Sequence, residues 1–287
     1  MDAASTLISL GLALATPLMG GVLSGIDRKL TARMQERVGP PLLQPFYDVI
    51  KLWAKKPMIA SSLQPVLAFS YLGFALVAAG MVTFGQDLLL VLFVATLADV
   101  CLTVAALSAK SPYSYLGARR EFLSMLSYEP VMLLAYVAIF LVTGSFTVQG
   151  VLDHSGPLLL VLPGALAALQ LVLVIEMKKS PFDVSGSGHA HQELVRGVYT
   201  ELSGYTMALV EVGHWAKVAT TLMILSLFWA PNPLIGAAIA LAMFFVSLVV
   251  DNSYPRLTWQ RMLRTTWALG FTLIVLNIAA LAAGGVI

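Results

Sequence analysis

The sequence is poor in cysteine and in charge. Cys101 is the single cysteine among 287 residues, only 11% of the residues are charged, and the net charge is +2. One cysteine excludes a disulfide-linked scaffold and any four-cysteine iron–sulfur site within the chain. A charge this close to neutral gives no indication that nucleic acid is a partner. If the protein takes part in redox chemistry, other chains must carry the metals.

The sequence also lacks the motifs of nucleotide-binding and nucleophilic enzymes. It contains no Gly-x-Ser-x-Gly sequence, no Walker A sequence and no glycine-rich loop that would hold a phosphate. We therefore expect no catalytic residue, no cofactor and no metal site in this chain.

Hydrophobic residues are abundant instead, at 59% of the chain, and the mean hydropathy is +0.86. Soluble domains are roughly 45–50% apolar and about 25% charged, and disordered chains combine low hydrophobicity with high charge. Both classes are excluded. The sequence predicts an all-α polytopic membrane protein, a single integral membrane domain over residues 1–287. Its apolar runs predict eight transmembrane helices, near 5–26, 64–84, 88–109, 130–148, 157–176, 206–230, 233–250 and 268–286.

The basic residues alternate between the connecting segments. Loops 27–63, 110–129, 177–205 and 251–267 hold 16 of the 17 Lys and Arg residues, whereas 85–87, 149–156 and 231–233 hold none. The positive-inside rule places the four basic loops in the cytoplasm, and eight spans then leave both termini outside. The localisation expected is the cytoplasmic (inner) membrane, crossed several times.

The first basic loop contains an amphipathic pattern that begins at Pro45. Phe46, Val49, Ile50 and Trp53 fall at i, i+3, i+4 and i+7, on one face of a helix. This pattern predicts a helix lying along the cytoplasmic interface of the bilayer, with Trp53 at the depth of the headgroups. A plain surface anchor without a mechanistic part remains an alternative.

Several ionisable residues lie in or beside the predicted spans. A charge within a span is costly, which makes such residues candidates for a functional site. Asp99 falls near the middle of the third predicted span, Glu129 opens the fourth and Glu176 closes the fifth. Glu211, His214 and Lys217 follow one another at intervals of three in the sixth, so they are predicted to face the bundle interior in one band. The group can form an ion pathway, or its charges can pair simply to hold the helices together.

Loop 177–205 is the most unusual of the basic loops. By residue type, His189, His191 and Glu193 could bind a metal, but their spacing puts three side chains on one face only in a strand. Nothing else predicts a strand there, so a polar loop that contacts a partner is the interpretation preferred.

Three polar strings between the predicted spans carry a resemblance to a known family. They read RMQERVGPPLLQPFYDVIKL at 33–52, GARREFLSMLSYEP at 117–130, and EMKKSPFDV with HAHQELVRGVYTELSG within 176–204. Together they resemble the subunit 1, or H-subunit, family of respiratory complex I. They look more similar to its relatives in energy-converting nickel–iron hydrogenases, among them the formate hydrogenlyase type. The shortened loop at Gly39–Pro45, and residues 184–191 in place of an acidic stretch, favour the hydrogenase branch over a quinone site.

The resemblance implies a membrane subunit that anchors a cytoplasmic redox module and couples its electron transfer to movement of protons or sodium ions. The implied partners are the hydrogenase large and small subunits, an iron–sulfur protein, antiporter-like membrane subunits and the lipid bilayer; the nickel–iron site and iron–sulfur clusters belong to those partner subunits. The resemblance implies that the acidic residues of the motifs belong to an ion pathway, and the ionisable residues within the predicted spans are added to it. The predicted ion pathway therefore comprises Asp99, Glu129, Glu176, Asp183, Glu193, Glu201, Glu211, His214 and Lys217. The predicted docking residues are Arg33, Arg37, Arg119, Arg120, Glu121, His189, His191 and Arg196.

Three alternatives remain open at this point. The chain could be the quinone-site subunit of complex I, which binding of quinone would reveal. It could be a stand-alone ion transporter, active when purified alone, or a structural anchor with no ion pathway. The sequence does not distinguish protons from sodium ions.

Overall fold

A computed structural model describes residues 3–185 and 196–284. This part of the chain consists of helices and connecting segments and contains no strand. The α-helices are α1 (Ala3–Met34), α2 (Gln44–Ala54), α3 (Leu63–Thr83), α4 (Leu88–Ser108), α5 (Pro112–Thr143), α6 (Val148–Leu152), α7 (Leu158–Val161), α8 (Pro163–Glu176), α9 (Tyr205–Ser226), α10 (Pro233–Ser253) and α11 (Trp259–Ala283). Short 3₁₀ turns at Gly197–Tyr199 and Leu227–Trp229 flank α9.

Seven helices in the described part of the chain are long and apolar enough to cross a membrane, namely α1, α3, α4, α5, α9, α10 and α11. The predicted span 157–176 is present as two pieces, because the helix is interrupted at Leu162, where Pro163 begins α8. At 1.5 Å per residue, α8 is about 21 Å long, which is short for a hydrocarbon core of about 30 Å. The number of spans and the side of the termini therefore stay predictions.

The prediction of a loop at 110–129 is wrong for most of its length. Helix α5 begins at Pro112 and runs without a break to Thr143. Proline is favourable in the first turn of a helix, where its missing N–H is not needed. The low hydropathy around Arg119–Glu121 reflects a helix of about 48 Å, longer than the hydrocarbon core, and not a change of structure. Similarly, α1 continues past residue 26 to Met34, and α11 begins at Trp259, before residue 268.

Helix α9 lies at the centre of the bundle. It packs against α1, α2, α3, α8 and α10, and 78% of its membrane-spanning window is buried, compared with 17% for α11. Small residues allow the closest crossings, since backbones can approach where side chains are absent. A Cβ atom on Gly20 of α1 would lie 2.1 Å from the carbonyl oxygen of Trp215 on α9. The central position of α9 explains why its charged residues face other helices.

The amphipathic helix predicted in the first basic loop is present as α2. Phe46 turns inward and contacts the ring of Trp215 edge-on, with 5.3 Å between ring centroids, whereas Ile50 and Trp53 are exposed. The inner end of α2 is thus attached to α9, and its outer apolar side chains are available to the lipid interface.

Candidate functional site

A cluster of three charged residues lies inside the bundle, where α4, α8 and α9 meet. The Lys217 ammonium group donates a hydrogen bond to Asp99 Oδ2 and lies 3.9 Å from Glu176 Oε1. Each of the three residues is at most 8% exposed. Two carboxyl groups therefore share one ammonium group in a site removed from water, and full ionisation would leave an excess negative charge there.

Two hydroxyl groups complete this cluster, and the sequence interpretation missed both. The Tyr128 hydroxyl on α5 donates to Asp99 Oδ2 over 2.6 Å, and the Thr221 hydroxyl on α9 donates to Glu176 Oε2. Thr221 lies within an apolar run and Tyr128 lies at the end of the segment predicted to be a loop, so neither residue carries a signal of this kind in the sequence. The four-residue step from Lys217 to Thr221 does place them on one helix face, and that was the available clue.

A polar cavity of about 630 Å³ opens on the basic face of the bundle, the face that carries Arg28, Arg37, Lys178 and Arg256. It is enclosed by α1, the loop after α1, α2, the segment after α8, α9 and the end of α10. More than half of its lining residues are ionisable: Asp27, Arg28, Arg37, Asp48, Lys178, Lys179, Asp183, Arg196, Tyr199, Glu211, His214, Asp251 and Arg256. Glu211 and His214 thus face this cavity from α9.

Ion pairs join the helices around the cavity. Lys179 contacts Asp27 of α1 at 2.8 Å and Asp251 of α10 at 3.0 Å. Lys178 donates to both carboxyl oxygens of Glu121, at 2.9 and 3.0 Å. Burial acts to lower the pKa of both lysines, but these carboxylates outweigh it and raise each pKa above its ordinary value. Both ammonium groups therefore stay charged near neutral pH.

Two further pairs complete the wall of the cavity. Arg256 contacts Asp183 at 2.9 Å, and Arg28 contacts Asp48 of α2 at 2.6 Å. Partial burial acts to raise the pKa of Asp48, but hydrogen bonds from Arg28 and Gln44 lower it below its ordinary value of 3.8. The wall is thus held by charge pairs from elements distant in sequence.

His214 lies between the cavity and the buried cluster. A narrow space deeper in the bundle is lined by Asp99, Glu176 and Lys217 and also by His214 and Lys178, which line the larger cavity as well. On a helix of 3.6 residues per turn, Glu211 and Lys217 point about 120° apart, with His214 between them. The three residues therefore do not form one narrow band: Glu211 faces the cavity, Lys217 faces the cluster, and His214 borders both.

Glu129 has a different environment from the other acids. It lines an apolar groove of about 590 Å³ between α4, α5 and α11, together with Thr96, Leu92 and Phe271. Its Oε1 atom is buried without a hydrogen-bond partner in the described structure. Glu129 does not open a span as predicted, because it lies in the middle of α5.

The remaining predicted site residues are dispersed. Arg33, Arg37 and Arg119 are exposed on the basic face, where Arg119 stacks on the Tyr115 ring at 4.4 Å. Glu121 is buried against Lys178, and Arg120 donates to the Val184 carbonyl oxygen at 3.4 Å. Arg196 lines the cavity and Glu201 lies in the turn before α9. His189, His191 and Glu193 fall outside the described residues. The roles assigned to all of these residues stay predictions.

The fold and the site define a class of protein. It is a helical membrane protein in which a charged cavity at the basic face adjoins ionisable residues inside the bundle. The chain belongs to the NADH dehydrogenase family, which it matches over residues 7–282. The family resemblance found in the sequence is therefore confirmed.

Relatives of known name fall into both branches of the resemblance. The chain is 29% identical to the NADH-quinone oxidoreductase H-subunit of Thermomicrobium roseum, over 93% of this chain and 92% of the relative. It is 30% identical to hydrogenase-4 component C of Escherichia coli, over 92% and 91%, and 29% identical to formate hydrogenlyase subunit 4 of the same organism, over 91% and 94%. By name, these relatives are a subunit of an oxidoreductase that acts on NADH and quinone, a component of a hydrogenase and a subunit of a formate hydrogenlyase.

The fold matches that of a solved respiratory complex. A chain of the archaeal membrane-bound sulfane sulfur reductase superposes with a TM-score of 0.85 at 24% identity, covering 96% of this chain and 98% of that chain. At this identity the match establishes the fold alone. The chain thus has the fold of a helical multi-pass membrane protein, and its specific reaction is a separate question.

Proposed function

We propose that this chain is the membrane subunit of an energy-converting nickel–iron hydrogenase, which anchors a cytoplasmic redox module and couples its electron transfer to translocation of protons or sodium ions. The observation that carries the proposal is the arrangement around His214, where a charged cavity open to one face adjoins a buried group of carboxyl and ammonium side chains. A structural anchor would not need ionisable side chains in contact with both spaces.

The lining of the cavity favours the hydrogenase branch over the quinone-site subunit of complex I. Sites for organic cofactors are mostly apolar with a few polar groups. A quinone with its isoprenoid tail would have to displace water from paired and unpaired charges such as Arg37, Asp48 and Glu211, and desolvating those groups is costly. The cavity suits water, ions or a polar segment of a partner chain.

The proposal places the redox centres in partner subunits. Cys101 is a single cysteine buried on α4, and the four thiolate ligands of an iron–sulfur cluster must come from elsewhere. If a partner subunit with an iron–sulfur cluster docks at the cavity, a change in the charge of that iron–sulfur cluster would act on Glu211 and His214 through the low-dielectric interior. A charge shifts proton equilibria most strongly in such surroundings.

The experiment uses membrane vesicles that contain the whole complex. Electron transfer by the docked module is started, and ion uptake is followed together with hydrogen formation. Changing Glu211→Gln and His214→Ala together should abolish ion uptake while hydrogen formation by the module continues, because the change removes titration and leaves the docking face intact. The matched control Asp153→Asn changes an exposed carboxylate just after α6 and should leave uptake unchanged.

Three results would contradict the proposal. Full ion uptake in the double variant removes the two residues from the pathway. A purified complex that contains no nickel and reduces quinone points to the complex I branch, and ion transport by the isolated chain in liposomes points to a stand-alone transporter.

A further inference from the structure

The buried cluster contains more carboxyl groups than cations. Asp99 and Glu176 are both close to Lys217, and a net charge inside a membrane protein is either compensated or removed by protonation. A second ion pair lines the same narrow space, Lys178 with Glu121, and it is already balanced by its own two charges. One proton shared between Asp99 and Glu176 makes the cluster neutral.

The hydrogen bonds differ between the two carboxyl groups. Asp99 Oδ2 accepts from both the Lys217 ammonium and the Tyr128 hydroxyl. Glu176 accepts from the Thr221 hydroxyl, and its Oε1 is 3.9 Å from the ammonium, which is too long for a hydrogen bond. Hydrogen bonds from a cation and a phenol favour the ionised form of a carboxyl group, so Asp99 is the better stabilised carboxylate.

The other titratable groups around the cluster come from α3, α5, α9 and the segment after α8. Tyr71 comes from α3, Glu121, Tyr128, Glu129 and Tyr136 from α5, His214 from α9 and Lys178 from the segment after α8. Glu129 faces the separate apolar groove, and Tyr136 has a buried hydroxyl without a hydrogen-bond partner in the described structure. None of these groups supplies a second cation to Glu176.

We propose that Lys217 is a positioning residue that holds Asp99 ionised and leaves the single proton of the cluster on Glu176, the group that loads and releases it. The ammonium group and the proton can exchange partners. Glu176 gives up its proton and becomes a carboxylate, and Asp99 takes up a proton. The Lys217 ammonium group, at the end of a flexible side chain, moves toward Glu176. The cluster holds one proton and no net charge before and after the exchange.

This inference deepens the proposed function, and its test is independent of ion transport. Infrared spectra of the resting complex at neutral pH, in H₂O and D₂O, detect the C=O stretch of protonated carboxyl groups. The band of Glu129 is identified first with Glu129→Gln and is then set aside. One further band should belong to the cluster. It should be absent in Glu176→Gln and doubled in Lys217→Met, where two carboxyl groups remain without a cation, while Lys217→Arg should restore a single band.

Two mild variants identify the protonated partner. Thr221→Val removes the hydroxyl bonded to Glu176 and should shift the band, whereas Tyr128→Phe removes the hydroxyl bonded to Asp99 and should leave it in place. The opposite pattern would put the proton on Asp99 and overturn the proposal, as would a band that persists in Glu176→Gln. Because the complex does not turn over in this measurement, loss of the spectral pattern and loss of coupled transport are separate outcomes.

Discussion

Within residues 3–185 and 196–284, two lysines each interact with two carboxyl groups, and the geometries of the two sites differ. At the wall of the cavity, Lys179 is within hydrogen-bonding distance of both Asp27 and Asp251. Asp251 also accepts from the Ser180 N–H at 2.9 Å, and Asp27 from the Thr31 hydroxyl at 3.2 Å. This site is symmetrical and saturated, and it ties α1 and α10 to the segment after α8.

Inside the bundle, the Lys217 ammonium group donates a hydrogen bond to Asp99 but lies 3.9 Å from Glu176, which is too far for a hydrogen bond. The difference indicates two purposes. A lysine held equally by two well-bonded carboxylates fixes helices in place, whereas a lysine held unequally, beside a carboxyl group with few donors, leaves room for a proton to move. Variants at the two sites should therefore differ in the size of their effects.

The largest effect should come from Lys179→Met. The change leaves Asp27 and Asp251 facing each other without their shared cation, and breaking a largely buried pair costs about 3 kcal/mol. We expect a marked loss of folded protein in thermal unfolding of the detergent-solubilised chain, while Lys29→Met, an exposed lysine on the same face, should behave as the unchanged protein. By contrast, Lys217→Met should fold, because it breaks one close ion pair and Asp99 can take up a proton, whereas Lys179→Met breaks two ion pairs that join α1 and α10 to the segment after α8. A Lys217→Met chain that is the less stable of the two would refute the distinction.

The next effect concerns exposed basic side chains, represented by Arg37 and Arg119. If they bind the redox module, the double change to Glu should repel it and weaken its binding by about 2 kcal/mol, or roughly 30-fold. Co-purification of the module with the tagged chain, measured at several salt concentrations, tests this expectation. Arg261→Glu, also exposed and basic but outside the predicted docking residues, serves as the control. Equal recovery of the module with the double variant and with the control would count against docking at these residues.

A smaller effect should follow from Tyr128→Phe. The change removes one of the two donors to Asp99 Oδ2 but leaves the ammonium, and a hydrogen bond to a charged group contributes about 1.5–3 kcal/mol before such compensation. We expect a loss of about 1 kcal/mol in stability, smaller than for Lys179→Met, measured in the same unfolding assay. A loss as large as that of Lys179→Met would mean that the phenol, and not Lys217, is the main support of Asp99.

The sequence predicts the components of the site better than it predicts their arrangement. Hydrophobic runs reveal most of the helices, and charges within those runs reveal Asp99, Glu176 and Lys217, because a buried charge is conspicuous against an apolar background. The partner of each charge is not accessible in this way, since Lys217 and Asp99 are 118 residues apart. Only the packing of α3 against both α4 and α9, and of α4 against α5, brings them together with Tyr128.

Errors in the sequence interpretation arise where polarity and structure diverge. The polar first half of α5 was expected to be a loop, but Arg119–Glu121 belong to a helix that extends beyond the apolar zone. Equally, a spacing of three residues on α9 suggested one common face. The accumulated rotation along the helix instead gives Glu211 and Lys217 different neighbours, which is what connects the cavity to the cluster.

The smallest effect concerns Asp48, whose pairing with Arg28 fixes α2 to α1. Its pKa is lowered in the folded chain, so the pair contributes stability above the ordinary value of 3.8 and loses it as the pH falls through the folded pKa. Both side chains are 38% exposed, and solvent screening limits the contribution to a few tenths of a kcal/mol. Lys178 and Lys179 do not contribute to this acid loss, because their raised pKa values keep both ammonium groups charged until the solution is strongly alkaline. Unfolding measured from pH 3 to 7 should therefore show a slight acid loss that Asp48→Asn removes, and an unchanged acid loss in Asp48→Asn would show that other carboxylates carry it.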